Sequence, residues 1–149
     1  MFAAACESGS LLSGTDRWAS RFRQFGESVG LGFQIADDLL DYVGDQSLTG
    51  KPVGNDLREG KVTLPLIFAL KHGPESERRH ILEHISNGHA ESSLSEVVGF
   101  VERYGGFAYA RGRAEEYCAR ALEIIKDAGD SDHKLALEAV VNHVVSRQS

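Results

Sequence analysis

The sequence has few of the features that mark secreted, membrane-spanning or disulfide-linked proteins. Only two cysteines occur among its 149 residues, and Cys6 and Cys118 form neither a disulfide framework nor a Cys-x-x-Cys metal motif. No basic leader precedes the apolar start, which argues against a signal peptide. The longest apolar run, Leu64–Leu70, is too short to cross a bilayer. We therefore expect a soluble, cytoplasmic protein.

An excess of basic residues is also lacking. Lysine and arginine number 16 against 22 aspartates and glutamates, so the net charge is -6. Proteins that bind nucleic acid or anionic lipid without sequence specificity need a basic surface to neutralise phosphates. We therefore expect no nucleic-acid partner, and any polyanionic ligand must be met by local lysines or by bound cations.

Helical periodicity dominates the chain, whereas alternating strand patterns are scarce. Apolar residues make up 42% and charged residues 26% of the sequence, which is the range of globular domains. The length suits one domain over residues 1–149. The pattern predicts an all-α protein with a loop at Gly44–Gly60 and helices near Phe2–Leu12, Thr15–Val43, Val62–Lys71, Glu75–Ile85, Ser92–Tyr104, Phe107–Lys126 and His133–Val145.

The predicted long helix has the clearest apolar stripe in the sequence. Three glycines, Gly26, Gly30 and Gly32, weaken a helix, so we expect them where another element approaches closely. Aromatic residues at the start of the stripe suit either core packing or the wall of a ligand tunnel, and core packing is favoured. The stripe consists of Trp18, Phe22, Phe25, Val29, Phe33, Ala36, Leu40 and Val43.

The chemistry is concentrated toward the end of this helix, in Gly32–Asp41. Asp37 and Asp41 lie one helical turn apart and Asp38 is beside them, while Gln34 precedes them on the same side. Carboxylates so close repel one another, and a hard divalent cation such as Mg²⁺ relieves that repulsion. A solvated acidic face is the alternative, but the apolar neighbours favour a buried, metal-binding turn.

A glycine-rich segment with two lysines, Lys51 and Lys61, follows the acidic helix. Lysine binds phosphate as a point charge, and glycines let backbone N–H groups approach the same ligand. Acids and lysines on two sides of a gap suit a magnesium-bound diphosphate. Taken alone, the segment is more consistent with a surface loop that carries solvated lysines, but the two segments together favour a diphosphate site.

These two motifs closely resemble those of the trans-polyprenyl diphosphate synthases. Gly32–Asp41 (GFQIADDLLD) is similar to the second aspartate-rich motif of that family. Gly50–Leu57 (GKPVGNDL) and Glu59–Pro65 (EGKVTLP) are similar to the segment that follows it, and the likeness extends over the whole chain. The resemblance implies an isoprenoid-synthase-type helical bundle, of which this chain is the incomplete C-terminal half.

The resemblance also implies a reaction, the head-to-tail condensation of isopentenyl diphosphate with an allylic diphosphate. In that family Asp37, Asp38 and Asp41 would be the catalytic magnesium ligands, and Gln34, Lys51 and Lys61 would bind the substrate diphosphate. Members of the family usually form homodimers. The family's first aspartate motif has no counterpart here, because Asp37-Asp38 is the only Asp-Asp pair in the sequence. We therefore expect the chain to be inactive alone.

Two alternatives and one further motif remain. A non-catalytic partner subunit of a complete synthase would share the same residues, and a terpene cyclase relative is disfavoured by the Gly-Lys-Pro segment.

His80 and His84 are one helical turn apart with Glu83 between them, as in some zinc sites. The order is not His-Glu-x-x-His and no third ligand is evident, so surface histidines are the favoured interpretation.

Overall fold

The computed structural model describes residues 1–43, 54–86 and 94–146. Within these ranges the chain forms helices and no strand, which confirms the predicted all-α class. None of the described helices is long and apolar enough to cross a membrane. The helices are α1 (Phe2–Leu12), α2 (Asp16–Val43), α3 (Asn55–Arg58), α4 (Leu64–His72), α5 (Glu75–Ser86), α6 (Leu94–Arg103), α7 (Gly106–Ile125) and α8 (Asp132–Ser146).

The chain divides into two compact units. The first contains Met1–Ala36 and Arg113–Ser149, and the second contains Asp37–Gly112. Helices α2 and α7 therefore each contribute one part to the first unit and one to the second. The predicted single domain over residues 1–149 stays a prediction.

The core of the first unit joins α2 to α7 and α8. The predicted apolar stripe supplies three of its buried side chains, Phe25, Val29 and Ala36. Cys118 of α7 is also part of this core, with 2% of its surface exposed, and both cysteines are free thiols. The remaining members of the core are Ala121, Ile125, Val141 and Val144.

The glycines of α2 lie where neighbouring elements approach it, as the sequence predicted. A Cβ placed on Gly26 would lie 2.5 Å from the carbonyl oxygen of Phe2, and one on Gly32 would lie 3.0 Å from the Cys118 sulfur. At Gly30 the nearest atom would be Cδ2 of Phe2, at 3.2 Å. Residues without a side chain at these positions allow α1 and α7 to pack against the backbone of α2.

A cavity of about 920 Å³ lies in the first unit, with mainly apolar walls. Trp18 and Phe22 line it, whereas Phe25 is buried in the core with 2% of its surface exposed. The aromatic start of the stripe therefore serves both core packing and a cavity wall. Other residues on the wall include Cys6, Ser10, His133 and Leu137.

The second unit is built around α4, α6 and the ends of α2 and α7. Helix α4 packs against α6, and Tyr42 meets Phe107 with ring centroids 5.6 Å apart. Gly105 joins α6 to α7 with a φ of +71°, which a residue with a side chain rarely adopts. The predicted helix break at Tyr104–Phe107 is therefore confirmed.

The helix boundaries largely agree with those predicted, with two differences. The first is α3, a four-residue helix inside the predicted Gly44–Gly60 loop. The second is the start of α4 at Leu64 rather than Val62, because Pro65 occupies the first turn, where its missing N–H is not needed. Parts of three predictions lie outside the described residues: 44–53 of the predicted loop, 92 and 93 of the predicted Ser92–Tyr104 helix, and the side chain of Val43 in the apolar stripe.

Candidate functional site

The acidic turn of α2 lies at the boundary between core and solvent. Its apolar flanks are buried, since Ala36 is 0% and Leu39 is 3% exposed. Asp37 is exposed, and Asp38 and Asp41 are half-buried. The expected burial therefore holds for the apolar flanks and not for Asp37, because the helix turns Asp37 to the outside while its neighbours enter the core. Partial exposure leaves the aspartates accessible to an ion from solution.

Asp41 connects the acidic helix to the segment that follows it. Its carboxylate accepts backbone N–H groups from Asn55 at 3.1 Å and from Asp56 at 2.9 Å. Its backbone carbonyl accepts the N–H of Gly54 at 2.7 Å, and Gly54 has a φ of +80°. The first N–H groups of a helix have no acceptor within the helix. The Asp41 carboxylate is the acceptor for two of those groups in α3.

The environment of the Asp41 carboxylate acts in both directions on its acidity. Partial burial is the largest influence and raises the pKa of the Asp41 carboxyl above its usual value. The N–H groups of Asp56 and Asn55 lower this pKa, while the Asp56 carboxylate raises it. The net effect is a raised pKa, so the charged form carries a cost that a nearby cation would reduce.

Lys61 lies next to this connection and carries a positive charge. Its Nζ is 3.1 Å from Oδ1 of Asp56 and 2.6 Å from Oε2 of Glu59. Hydrogen bonds to Glu59 and then Asp56 raise the pKa of Lys61 above its usual value. The Lys61 side chain is 57% exposed, so these pairs are in contact with water and are individually weak.

A second connection, which the sequence did not predict, lies beyond Lys61. The hydroxyl of Thr63 donates a hydrogen bond to the hydroxyl oxygen of Tyr42 at 3.1 Å. Burial raises the pKa of Tyr42 to about 12, so its hydroxyl stays protonated at neutral pH. No local pattern signals this contact, because the two residues come from separate parts of the chain and meet only in the folded unit.

The remaining predicted site residues are less closely tied to this region. Gln34 is exposed on α2 and belongs to the first unit, so its place beside a diphosphate stays a prediction. Lys51 lies outside the described residues. The structure thus joins Asp41 and Lys61 through Asp56. Asp37 and Asp38 are related to this region by their position on the same helical turn as Asp41.

Several solved structures to which this chain is similar are isoprenyl diphosphate synthases, which are all-helical. A polyprenyl synthase from Caulobacter crescentus, crystallised with calcium and isoprenyl diphosphate, is similar with a TM-score of 0.89 and 32% identity. The match covers 99% of this chain and 46% of that one. A geranylgeranyl pyrophosphate synthetase from Pyrococcus horikoshii is similar with a TM-score of 0.87 and 30% identity, over 97% of this chain and 44% of the other.

Sequence comparison gives the same result. The family model for polyprenyl synthetase matches residues 1–101, and the chain belongs to that family. A short chain isoprenyl diphosphate synthase from Methanothermobacter thermautotrophicus is 34% identical over 149 residues, and an octaprenyl diphosphate synthase from Escherichia coli is 34% identical over 148. Each match covers 99% of this chain and 46% of the relative. The chain therefore spans less than half the length of these relatives.

Proposed function

We propose that the region from Asp37 to Lys61 is one half of the diphosphate-binding site of a polyprenyl diphosphate synthase. The reaction of the complete site is the head-to-tail condensation of isopentenyl diphosphate with an allylic diphosphate. The observation that carries the proposal is the pair of hydrogen bonds from Asn55 and Asp56 to the Asp41 carboxylate. They hold the acidic turn and the lysine-bearing segment together in one unit.

The donor atoms of the acidic turn fit a magnesium ion. Mg²⁺ prefers oxygen ligands, keeps several waters and is often bound by only one or two carboxylates. Asp37 is exposed and Asp38 half-buried, so both are accessible to a hydrated ion, and a nearby cation would offset the raised pKa of Asp41. When bound, Mg²⁺ would neutralise negative charge on the leaving diphosphate.

Asp41 has two roles in this proposal. Its carboxylate positions α3 through two backbone N–H groups. A carboxylate has about four lone-pair directions, so the same group can still face an ion directly or through water. The residues that follow, including Lys61, are thereby held on the side of the acidic turn.

Lys61 is the cation that would contact the diphosphate. It stays protonated at neutral pH, because its partners raise its pKa. Its exposed pairs with Asp56 and Glu59 are weak, so phosphate oxygens can replace Glu59 at Nζ without a large loss. Lys51, which lies outside the described residues, is proposed to bind the same diphosphate.

The relative from Caulobacter crescentus supports the choice of ligands. That protein was crystallised with calcium and isoprenyl diphosphate together, a divalent cation and a prenyl diphosphate. The 149-residue chain has a single Asp-Asp pair, whereas the proposed complete site needs two aspartate motifs. We therefore propose that the chain binds the diphosphate but does not perform the full condensation by itself.

Calorimetric titration with geranyl diphosphate and MgCl₂ tests this function. We expect binding that EDTA abolishes, and a Lys61→Gln variant that binds about tenfold more weakly. Lys71→Gln is the matched control, because Lys71 is an exposed lysine on α4 outside the proposed site. Equal affinities for the two variants, or binding that persists in EDTA, would refute the proposal.

A further inference from the structure

A second group of ligand-type side chains lies in the second unit, apart from the residues of the proposed diphosphate site. His80 and His84 face Glu96, and one ligand atom from each of the three lies within 4.8 Å of the others. Among the described residues this is the one group of three such side chains that comes so close. The sequence shows the histidine pair but not its third member, which belongs to the next helix.

The three side chains come from two helices, which bring them close together: His80 and His84 are on α5 and Glu96 is on α6. His80 and His84 lie one turn apart on α5, so both rings project from the same side, and their centroids are 4.4 Å apart. Glu96 lies in the first turn of α6, where the helix dipole stabilises a negative charge. Its two carboxylate oxygens face the rings of His80 and His84.

The distances are those of a site that needs little rearrangement to hold an ion. Nε2 of His80 is 2.8 Å from Oε1 of Glu96, and Nε2 of His84 is 4.0 Å from Oε2. A tetrahedral zinc ion with bonds of about 2.0–2.1 Å separates its ligand atoms by about 3.3 Å, which lies between those two values. One ligand atom from each of the three side chains lies within 4.8 Å of the others, so side-chain shifts of about 1.5 Å would bring every pair to that separation.

We propose that His80, His84 and Glu96 bind one divalent transition-metal ion of the zinc type. Imidazole nitrogen with a carboxylate suits Zn²⁺, Co²⁺ and Ni²⁺, whereas Mg²⁺ prefers oxygen ligands alone. Two histidines and a glutamate form a known three-ligand zinc set that leaves one position for water. The ion would link α5 to α6 and shares no residue with the proposed magnesium site.

The surroundings favour an open position rather than a fourth protein ligand. A cavity of about 250 Å³ borders His80 and Glu96, which is room for several waters at about 30 Å³ each. The other carboxylate on its wall, Glu77, is held by Arg103 at 2.7 Å and by the Tyr104 hydroxyl at 2.9 Å. Glu77 is therefore engaged elsewhere and leaves the fourth position to solvent.

The competing explanation is a surface histidine–glutamate contact with no metal. The side chains are partly exposed, His80 by 53%, His84 by 32% and Glu96 by 48%. Exposed ion pairs contribute about 0–1 kcal/mol, so such a contact would matter little to the protein. A metal site differs in a measurable way, because removal of any one ligand should weaken binding of the ion.

Titration of the metal-stripped 149-residue chain with Co²⁺ and Zn²⁺ distinguishes the two. We expect one equivalent of Co²⁺ to give a visible d–d absorption band that Zn²⁺ removes and that excess Mg²⁺ leaves unchanged. His80→Ala, His84→Ala and Glu96→Gln should each weaken binding by about tenfold or more, since even indirect contacts to a metal contribute 10–100-fold. The ion should also raise the melting temperature of the wild type but not of these variants.

His143→Ala is the control, because His143 is an exposed histidine on α8 of the first unit. It should bind Co²⁺ as the wild type does. All changes are at partly exposed residues, and circular dichroism before the titration verifies that the variants are helical. If a folded His80→Ala/His84→Ala double variant bound Co²⁺ as tightly as the wild type, or if the wild type bound none, the proposal would be wrong.

Discussion

Asp41 is the residue on which the geometry of the proposed diphosphate site depends. Its two carboxylate oxygens accept one backbone N–H each from the first residues of α3, and its carbonyl accepts a third from Gly54. A half-buried carboxylate with a raised pKa is costly unless such partners offset the burial. At Asp41, backbone N–H groups therefore replace part of the water around the carboxylate, and they connect the acidic helix to the lysine-bearing segment.

Substitution of Asp41 should reveal how much that connection contributes to stability. Asp41→Ala leaves two N–H groups of α3 without their acceptor and should cost about 1–2 kcal/mol, the usual loss for a helix cap. Asp41→Asn removes the charge but keeps one carbonyl oxygen, so it should cost less. Urea unfolding of the three proteins measures the difference, and identical midpoints for the alanine and asparagine variants would contradict the role assigned to Asp41.

The sequence predicts some of these residues and not others, for a physical reason. Asp37 and Asp41 share a helical face because of their spacing alone, so the acidic turn is visible without a structure. Three contacts join residues that are 14 or more positions apart in the sequence: Asp41 with α3, Tyr42 with Thr63, and His80 with Glu96. Only the packing of helices brings such pairs together.

At the scale of helices, glycine determines how closely elements approach. Gly106 is the first residue of α7, and a Cβ placed there would lie 2.3 Å from the carbonyl oxygen of Pro65 and 2.7 Å from Val101 Cγ1. The backbone of α4 cannot move away without disturbing its packing on α6. Gly106 thus positions α7 against the start of α4.

Gly106→Ala should therefore destabilise the protein by about 1–3 kcal/mol, as overpacked sites do. Gly112→Ala is the matched control on the same helix, because a Cβ there has nothing within 4 Å. Alanine is the better helix former by about 0.8–1.0 kcal/mol, so this variant should be as stable as the wild type or more so. Chemical unfolding of both tests the pair, and a Gly106→Ala variant as stable as Gly112→Ala would contradict it.

The helices themselves follow from the sequence more fully than the site does. Apolar periodicity and glycine breaks locate α1, α2 and the junction of α6 with α7, because these signals are local. Ser131 caps α8, since its hydroxyl oxygen accepts the N–H of Lys134 at 3.2 Å. Helix α3 is absent from the prediction because four residues carry no periodicity and its cap, Asp41, comes from another helix.

At the scale of the whole molecule, the acidic turn and Lys61 lie in one compact unit, Asp37–Gly112. The three groups that the proposed function uses, the acidic turn, α3 and Lys61, are all within it. The proposed zinc-type site lies in the same unit on different residues. The two sites should therefore respond to different ions, Mg²⁺ for the aspartates and Zn²⁺ or Co²⁺ for the histidines.

The most direct test of the central proposal is calorimetric titration of the chain with inorganic pyrophosphate in the presence of Mg²⁺. Asp37→Asn and Asp38→Asn each remove one carboxylate charge from the acidic turn, and we predict that each weakens binding by about tenfold or more. Glu102→Gln, a change at an exposed acid on α6, should bind as the wild type does. If all four proteins bound magnesium pyrophosphate with the same affinity, or if none bound it, the acidic turn would not be a diphosphate site.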